Sequence, residues 1–334
     1  MASNLYVHFP FCRRKCAYCA LHSRPGATAD ERTRYVRSLV DCLQRLELAP
    51  GSLATVYFGG GSPALCDLTP LLDALAPRCA PDCEFTVELH PLDVSEPLLD
   101  ALRAGGVNRI SMGVQSLDDR TLAAMRRGYT ADTAVAAFAL IESRFENAGI
   151  DLIVGFPGDP CRFDRLKDFK GLGHCSVYSL QNERGLENVP DDDALLDGIR
   201  RAAAELKTFG LERYEISNYA RPGRECRHNL AVWRGEDYLG LGEGAWGRLG
   251  LERTFGGDGV EPPRVEAVSP EHDLRERTLF RLRTREGLDT ASFPEWRAAL
   301  DADVAAGLLV RRGDVYFLTD RGTEVCDAIL AELV

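Results

Sequence analysis

The sequence lacks the segments that would place a protein in or across a membrane. It contains no apolar run of spanning length, and its first strand-like segment, residues 5–9, begins with no signal peptide before it. We therefore expect a cytoplasmic protein with no integral membrane segment.

Positive charge is also in deficit, because 40 Lys and Arg stand against 51 Asp and Glu, a net charge of -11. This deficit argues against a general nucleic-acid binder, whose affinity rests on neutralising phosphates.

The cysteines also lack the regular spacing of a disulfide framework or a zinc finger. Three of the eleven, Cys12, Cys16 and Cys19, follow the first strand at C-x3-C-x2-C spacing, and the other eight are scattered. In a cytosolic protein this usage indicates a metal site and buried thiols. Iron–sulfur cubanes are usually held by four thiolates. Three thiolates on one loop therefore predict a cluster with one iron left open for a substrate or cofactor.

A zinc site is the alternative that the cysteine loop leaves open. His8 or His22 would then complete a tetrahedral set with the cysteines. Structural zinc sites usually take a second pair of ligands from further along the chain. Cys79 with Cys83 alone does not make such a pair, so the spacing favours a cluster over zinc.

Strand-like and helix-like segments alternate through the first half of the chain. Residues 55–58 form an apolar strand pattern that ends in Gly59-Gly60-Gly61-Ser62-Pro63, which is either a tight turn or a backbone approach to a ligand. The six predicted strands are residues 5–9, 55–58, 85–89, 109–115, 150–154 and 176–180. Alternation with helices predicts a parallel sheet, whose carboxyl edge builds binding sites in β/α barrels. Polar residues or glycine stand at or near these ends: Cys12, Gly61, Glu88, Gln115 and Asp151.

The second half of the chain predicts smaller units. We expect a barrel core over residues 1–182, an extension of the barrel over 183–250, a Gly- and Pro-rich linker over 251–270, and a C-terminal domain over 271–334. In that last domain, helical segments and a hairpin about Gly313-Asp314 predict a winged-helix-like unit. Its acidic residues favour a role in covering the active site over DNA binding.

The cysteine triad, preceded by residues 6–10 (YVHFP) and with Tyr18 before its last cysteine, resembles the signature of radical S-adenosylmethionine (SAM) proteins. The glycine run resembles the G-G-G-T-P motif of the same superfamily. Residues 106–117 and 151–158 resemble its HemN/HemW family, the oxygen-independent coproporphyrinogen III oxidase-like proteins. The resemblance extends over nearly the whole chain.

That resemblance implies an α/β fold, a partial (β/α)6 barrel with a small C-terminal winged-helix-like domain. It implies a 4Fe-4S cluster held by Cys12, Cys16 and Cys19, with SAM on the open iron. The residues that fall where the family contacts SAM are Tyr6, Tyr18, Gly60, Gly61, Ser62, Glu88, Gln115, Arg127 and Asp151. A reductant such as flavodoxin or ferredoxin would supply an electron that cleaves SAM to methionine and a 5′-deoxyadenosyl radical.

Three functions remain open within the family. Residues 214–233 resemble the Y-E-x-S-N-Y-A…C-x-H-N-x-x-x-W stretch of the heme-chaperone branch, which implies a heme or porphyrin ligand, His228 as a candidate heme contact, and a heme-acceptor protein. His228 otherwise caps or packs a polar loop. The coproporphyrinogen dehydrogenases carry an N-terminal extension and a fourth cysteine after the third, where this chain has Ala20-Leu21. Dehydrogenase activity is therefore disfavoured, and another modifier such as a methyltransferase is the third possibility. The heme-chaperone branch itself usually has Asp-Phe at those two positions.

Overall fold

Twelve strands form one large sheet whose centre is parallel. The computed structural model describes residues 2–257, 259–262 and 264–334. In chain order the strands are β1 (Asn4–Phe9), β2 (Phe11–Cys12), β3 (Arg24–Pro25), β4 (Leu53–Gly60), β5 (Cys79–Leu89), β6 (Arg109–Gln115), β7 (Asn147–Val154), β8 (His174–Ser179), β9 (Glu212–Arg213), β10 (Asn218–Ala220), β11 (Tyr238–Leu241), β12 (Gly247–Leu249), β13 (Glu252–Phe255), β14 (Arg264–Ala267), β15 (Leu288–Asp289), β16 (Leu309–Arg312) and β17 (Val315–Leu318).

The helices lie between these strands and in the C-terminal part. They are α1 (Ala29–Arg45), α2 (Thr69–Leu75), α3 (Glu96–Ala104), α4 (Asp119–Ala124), α5 (Ala131–Glu142), α6 (Asp192–Thr208), α7 (Arg227–Trp233), α8 (Pro270–Arg281), α9 (Arg297–Ala305), α10 (Asp320–Glu324) and α11 (Cys326–Ala331). Local chemistry sets their ends. At α1 the Thr28 hydroxyl accepts the Glu31 N–H while the Glu31 carboxylate accepts the Thr28 N–H, a capping box worth about 1 kcal/mol. In the described residues no helix is long and apolar enough to cross a bilayer.

The six predicted strands are β1, β4, β5, β6, β7 and β8, and they lie side by side in chain order, all parallel. The outer strands β1 and β8 pair with β11 and β10. The sheet is therefore an open barrel, which confirms the predicted partial (β/α)6 architecture. β11 runs parallel to β1, so the glycine-rich segment over 237–245 extends that edge of the barrel.

Side chains alternate along the barrel strands between an apolar and a polar face. Leu5, Val7 and Phe9 of β1 are fully buried in the main hydrophobic core. Tyr6 and His8, on the other face of the same strand, carry polar groups that hydrogen-bond to each other. Because parallel strands covered by helices are usually apolar on both faces, the polar inner face indicates an interior built to hold a ligand.

The C-terminal part has its own hydrophobic cluster, with Leu282, Leu300 and Tyr316 fully buried. Its sheet has the order β15-β17-β16 and packs with α8 to α11, so the predicted helices-plus-hairpin arrangement is present. The last helical segment consists of two helices, α10 and α11, because the helix is interrupted at Val325, whose φ is -122°. Within the predicted linker over 251–270, the strands β13 and β14 pair with each other and continue the large sheet.

Candidate functional site

The three cysteines lie together at the carboxyl edge of the barrel. Cys12 ends β2, directly after β1, and all three thiols are partly buried. Burial and then the nearby Cys19 and Cys16 thiolates raise the pKa of Cys12 to about 11. Deprotonating all three thiols therefore requires a compensating positive centre among them, as a bound metal cluster provides. No three His, Cys, Asp or Glu side chains in the described residues are grouped to hold a single metal ion.

The two histidines of the zinc alternative are engaged elsewhere. His8 lies with Nδ1 3.0 Å from the Tyr6 hydroxyl and Nε2 3.0 Å from the His22 carbonyl. The ring of His22 lies 3.3 Å from a carboxylate oxygen of Glu243. Both ring nitrogens of His8 are thus in hydrogen bonds within the protein, which does not favour zinc ligation by His8.

A buried arginine lies against the cysteine loop. Arg127 is 8% exposed, and its guanidinium lies 3.4 Å from both the Cys16 Sγ and the Tyr18 hydroxyl. It also donates to the Gly113 carbonyl at 2.5 Å and to the Tyr129 hydroxyl at 3.0 Å. Burial raises the pKa of Tyr18, so this phenol stays neutral. Arg127 therefore provides a fixed positive charge beside thiolates, and the turn after α4 places it there.

The glycines at the end of β4 are packed too closely for any other residue. A Cβ on Gly61 would lie 2.4 Å from the Phe11 carbonyl oxygen and 2.9 Å from the Cys12 Sγ. Gly60 has φ of +102° and would place a Cβ 2.6 Å from the His8 ring. Only glycine lets the strand end approach the cysteine loop in this way. The Gly61 N–H donates to the Phe9 carbonyl at 2.7 Å, which fixes the two segments together.

Asp93 connects the cysteine loop to the glycine strand end, and sequence reasoning did not find it. Its carboxylate accepts hydrogen bonds from Ser62, the residue after the glycines, and from Arg13, the residue after Cys12, at 2.6 Å from Nε. The side chain of Asp93 is 2% exposed. The Arg13–Asp93 ion pair is half shielded from water. Together with the hydrogen bond from Ser62, it fixes the cysteine loop relative to the glycine strand end. Asp93 lies in a short 3₁₀ turn after β5, which no sequence motif marks.

Two carboxylates line the barrel interior near this edge. Glu88 accepts from the Tyr57 hydroxyl at 2.8 Å and from the Gly60 N–H at 3.2 Å. Burial, and then the charge of Asp151, raises the pKa of Glu88 to about 7. Asp151 accepts from the Ser111 hydroxyl at 3.0 Å, and burial raises its pKa as well. Glu88 can thus hold or release a proton near neutral pH, and a cationic group placed between the two acids would favour their charged forms.

Gln115 ends β6 in an unusual conformation. Its φ is +74°, and the register between β6 and β7 shifts between Gly113 and Gln115. A bulge of this kind re-aims a side chain next to a site. The amide nitrogen of Gln115 would lie 2.8 Å from a Cβ on Gly113, so glycine is required for that side-chain position.

The structure places His228 away from the cysteine loop, at the opposite end of the barrel interior. It lies at the start of α7, is 4% exposed, and its Nδ1 is 2.8 Å from the Thr55 hydroxyl near the start of β4. Its backbone N–H donates to Glu84 at 3.0 Å, and its ring packs on Tyr57 and Tyr6 with centroids 5.3 Å and 6.4 Å away. Tyr6 therefore contacts both His8, near the cysteine loop, and His228, at the other end of the barrel interior. Burial lowers the pKa of His228 to about 3, so its ring is neutral.

Other buried groups of the interior were also missed in the sequence. Arg109, at the start of β6, is 1% exposed, and its Nε and one terminal nitrogen have no hydrogen-bond partner among the described residues. Glu243, after β11, accepts from Arg24 at 2.8 Å and so ties the end of the cysteine loop to the added edge strand. Both depend on contacts between distant segments, which a single sequence does not show.

Comparison with known proteins agrees with this geometry. The family model described as "Radical SAM superfamily" matches residues 6–166. The chain is 32% identical to the heme chaperone HemW of Mycobacterium tuberculosis (strain CDC 1551 / Oshkosh), over 99% of this chain and 94% of that protein. It is 34% identical to HemW of Escherichia coli (strain K12), over 98% of this chain and 97% of that protein.

A solved structure shares the whole fold. Coproporphyrinogen III oxidase (HemN) from Escherichia coli superposes with a TM-score of 0.85 at 21% identity, over 99% of this chain and 90% of that one. Membership of the superfamily implies a 4Fe-4S cluster and SAM, and the thiols of Cys12, Cys16 and Cys19 beside the glycine strand end fit that pair. The chain belongs to the radical SAM superfamily and, within it, to the HemN/HemW family, with heme chaperones HemW among its near full-length relatives.

Proposed function

We propose that this chain is a heme-binding protein of the HemW type, which carries a 4Fe-4S cluster and SAM and passes heme to an acceptor protein. The observation that carries the proposal is sequence identity of 32% and 34% to two HemW proteins, each along nearly the full length of both chains. The continuation of the chain from Cys19 into Ala20-Leu21, without a fourth cysteine, supports it too.

The proposed roles of the site residues follow from their contacts. Cys12, Cys16 and Cys19 would hold the cluster, which when bound would supply the electron for cleaving the sulfonium bond of SAM. Ser62, Glu88, Gln115 and Asp151, on or just after four neighbouring strands, would orient SAM, and the close packing at Gly60 and Gly61 brings the end of β4 against the cysteine loop. Arg127 balances thiolate charge. A small reductant protein such as flavodoxin or ferredoxin is the proposed electron donor.

His228 stays in the proposal as the candidate heme contact. Since it is 4% exposed and bonded to Thr55, heme iron could reach it only through the barrel interior or after α7 moved. His228 also has a structural role, because its backbone N–H donates a hydrogen bond to Glu84 and so fixes the start of α7 to β5.

An anaerobic product assay tests this proposal against a dehydrogenase. The cluster-loaded protein is supplied with reductant, SAM and coproporphyrinogen III, and protoporphyrinogen and 5′-deoxyadenosine are quantified. The proposal predicts no porphyrinogen product, with or without SAM cleavage. Formation of protoporphyrinogen together with two equivalents of 5′-deoxyadenosine, one for each propionate that is decarboxylated, would make the protein a coproporphyrinogen dehydrogenase.

A further inference from the structure

Two cysteines outside the cluster loop lie together at the start of β5. In the pairing of β4 with β5, Leu53 lies opposite Cys79 and Thr55 lies opposite Glu84. A step of two residues along β4 therefore matches a step of five along β5, so the chain between Cys79 and Glu84 bulges out of the sheet. Within this bulge the thiols of Cys79 and Cys83 form a hydrogen bond with each other.

The bulge is what brings the two thiols within reach of each other. In a regular strand, residues four apart lie about 13 Å from each other. A disulfide joins residues whose Cα atoms lie within about 7 Å. Of the residues between the cysteines, Pro81 and Asp82 are exposed. Closing a ring between Cys79 and Cys83 therefore needs the adjustment of an exposed segment, and the packed core can stay as it is.

The two thiols differ in their acidity. The hydrogen bond with Cys83 lowers the pKa of Cys79, and the same contact and then burial raise the pKa of Cys83. Because the thiolate is the reactive form of cysteine, Cys79 is suited to attack an oxidant and Cys83 to close the ring. Burial raises the pKa of seven other thiols: Cys12, Cys42, Cys66, Cys161, Cys175, Cys226 and Cys326.

A small oxidant can reach the pair from solvent. Cys79 is partly exposed, whereas Cys83 is 7% exposed and lines a groove at the amino ends of the barrel strands. The second thiol needs no exposure of its own, because it reacts with its neighbour within the chain. The cysteine loop lies at the opposite, carboxyl end of the barrel, so the pair can react without the cluster thiols.

We propose that Cys79 and Cys83 form a reversible disulfide when the protein meets a small disulfide oxidant such as glutathione disulfide. The Cys79 thiolate attacks one sulfur of the oxidant and releases one glutathione, which leaves a mixed disulfide on Cys79. The Cys83 thiol then loses its proton, attacks the Cys79 sulfur and releases the second glutathione. The two protein thiols thus lose two protons and two electrons, and one oxidant disulfide becomes two thiols.

The disulfide would lie beside the anchor of α7. Cys83 directly precedes Glu84, whose carboxylate accepts the N–H groups of Arg227 and His228 at 3.0 Å each. The backbone of Cys83 is itself fixed, since its carbonyl accepts from the Asn108 side chain at 2.7 Å. The Cys79 side of the bulge is therefore the side expected to move when the ring closes.

Peptide mapping after anaerobic oxidation tests the site. The cluster-loaded protein is treated with excess glutathione disulfide, denatured in N-ethylmaleimide and digested with trypsin. Cleavage after Arg78 and Arg103 releases residues 79–103, in which Cys79 and Cys83 are the two cysteines. We expect this peptide to carry no label and to be two hydrogen atoms lighter than its dithiol form. Dithiothreitol should restore both thiols.

Single variants and alkylation rates test the order of the two steps. Cys83→Ser should retain one glutathione on Cys79, whereas Cys79→Ser should retain none on the buried Cys83. In the unoxidised wild type, Cys79 should react with iodoacetamide about tenfold faster than Cys161. Cys161 is the matched control, because its thiol is also partly exposed and burial raises its pKa to about 11.

Two results would overturn the inference. One is a peptide of residues 79–103 that carries two maleimide labels after oxidation. The other is a wild type that keeps glutathione on Cys79 without closing the ring. The wild-type peptide decides the question if either variant fails to fold. Since hemin takes no part in this experiment, a failure of the proposed heme function would leave its result unchanged.

Discussion

Single residues hold the cysteine loop in place mainly through buried charge. Arg127 lies 3.4 Å from the Cys16 Sγ, and Asp93 links Arg13 to Ser62. Removing one partner of a buried, hydrogen-bonded charge pair leaves the other unpaired, which costs more than the pair contributes. The residues that position the cysteines are therefore expected to matter nearly as much as the cysteines.

Replacing one cluster cysteine should abolish the cluster. We expect Cys16→Ser to lose most of its iron, because only two of the three thiolate ligands of the cluster would remain. Iron and sulfide content and the visible absorption after anaerobic reconstitution measure this. Cys161→Ser, at a cysteine that is also partly buried, is the control and should keep its iron. Full cluster content in Cys16→Ser would contradict the assignment.

Asp93→Asn should weaken SAM binding while the cluster still forms. The amide keeps the size of the side chain but loses the charge that pairs with Arg13, so Ser62 and the cysteine loop lose their common anchor. A fall in SAM affinity of about tenfold corresponds to ~1.4 kcal/mol. The change that SAM induces in the electron paramagnetic resonance spectrum of the reduced cluster reports it. Asp67→Asn, at an exposed position before α2, should behave as the wild type, and an unchanged SAM titration of Asp93→Asn would refute the role.

Glu88 should make stability fall as pH rises. Its native pKa of about 7 exceeds the ordinary value of 4.5, so between these two pH values the native state binds more protons than the unfolded state. Stability then decreases as pH increases through this window. The side chain of Glu88→Gln stays neutral at every pH. The free energy of unfolding of this variant, relative to that of the wild type, should therefore rise by on the order of 1–3 kcal/mol between about pH 5.5 and about pH 8. Thermal unfolding of the SAM-free protein measures this, with the exposed Glu47→Gln as control; a difference that is constant with pH would argue against it.

At the scale of secondary-structure elements, the carboxyl ends of the barrel strands assemble the site. The glycine end of β4 approaches the cysteine loop so closely that a Cβ on Gly61 would lie 2.4 Å from the Phe11 carbonyl oxygen. Since backbone atoms form that contact, neither side can move away cheaply. Strand packing at this point therefore determines the geometry of the cluster loop.

Gly61→Ala should consequently destabilise both fold and cluster. Overpacking of this kind costs about 1–3 kcal/mol, and we expect a lower unfolding temperature together with reduced iron content. Gly173→Ala is the matched control, because its nearest neighbour to a new Cβ would be at 3.5 Å. Equal iron content and equal melting temperatures in Gly61→Ala and the wild type would contradict the packing argument.

The barrel strands were predictable because their cause is local. Apolar runs such as Arg109–Gln115 end in polar residues, and the observed strand has the predicted bounds. The addition of β11 beside β1 has no local cause, since Leu5 pairs with Leu239 across the length of the chain. The strands β13 and β14 lie among the glycines and prolines of the predicted linker and are stabilised by pairing with each other.

The candidate site shows the same difference between residues that a local pattern predicts and residues that depend on distant contacts. The cysteines and glycines were found from their spacing, whereas Asp93 and Arg109 were not, because their importance lies in contacts with distant segments. His228 was found as part of a motif, and the structure shows that it packs against Thr55 and Tyr57. A motif identifies a residue, but only the fold tells whether it faces a ligand or a neighbour.

At the scale of the whole molecule, the two ends of the barrel differ in character. The carboxyl end carries the cysteine loop, and the amino end opens into a groove lined by arginine and acidic side chains such as Arg103 and Glu146. On our account, the carboxyl end holds the cluster and SAM. The polar interior, with the half-buried Tyr6 and Tyr57 and the buried Arg109, lies between the two ends.

Heme transfer to an acceptor tests the central claim most directly. The cluster-loaded protein is charged anaerobically with one equivalent of hemin, freed of excess and mixed with apomyoglobin as a probe acceptor, and the absorption of the acceptor is followed. Our account predicts that hemin binds in a defined stoichiometry and then appears on the acceptor. A protein that takes up no defined amount of hemin, yet converts coproporphyrinogen III with formation of 5′-deoxyadenosine, would contradict it.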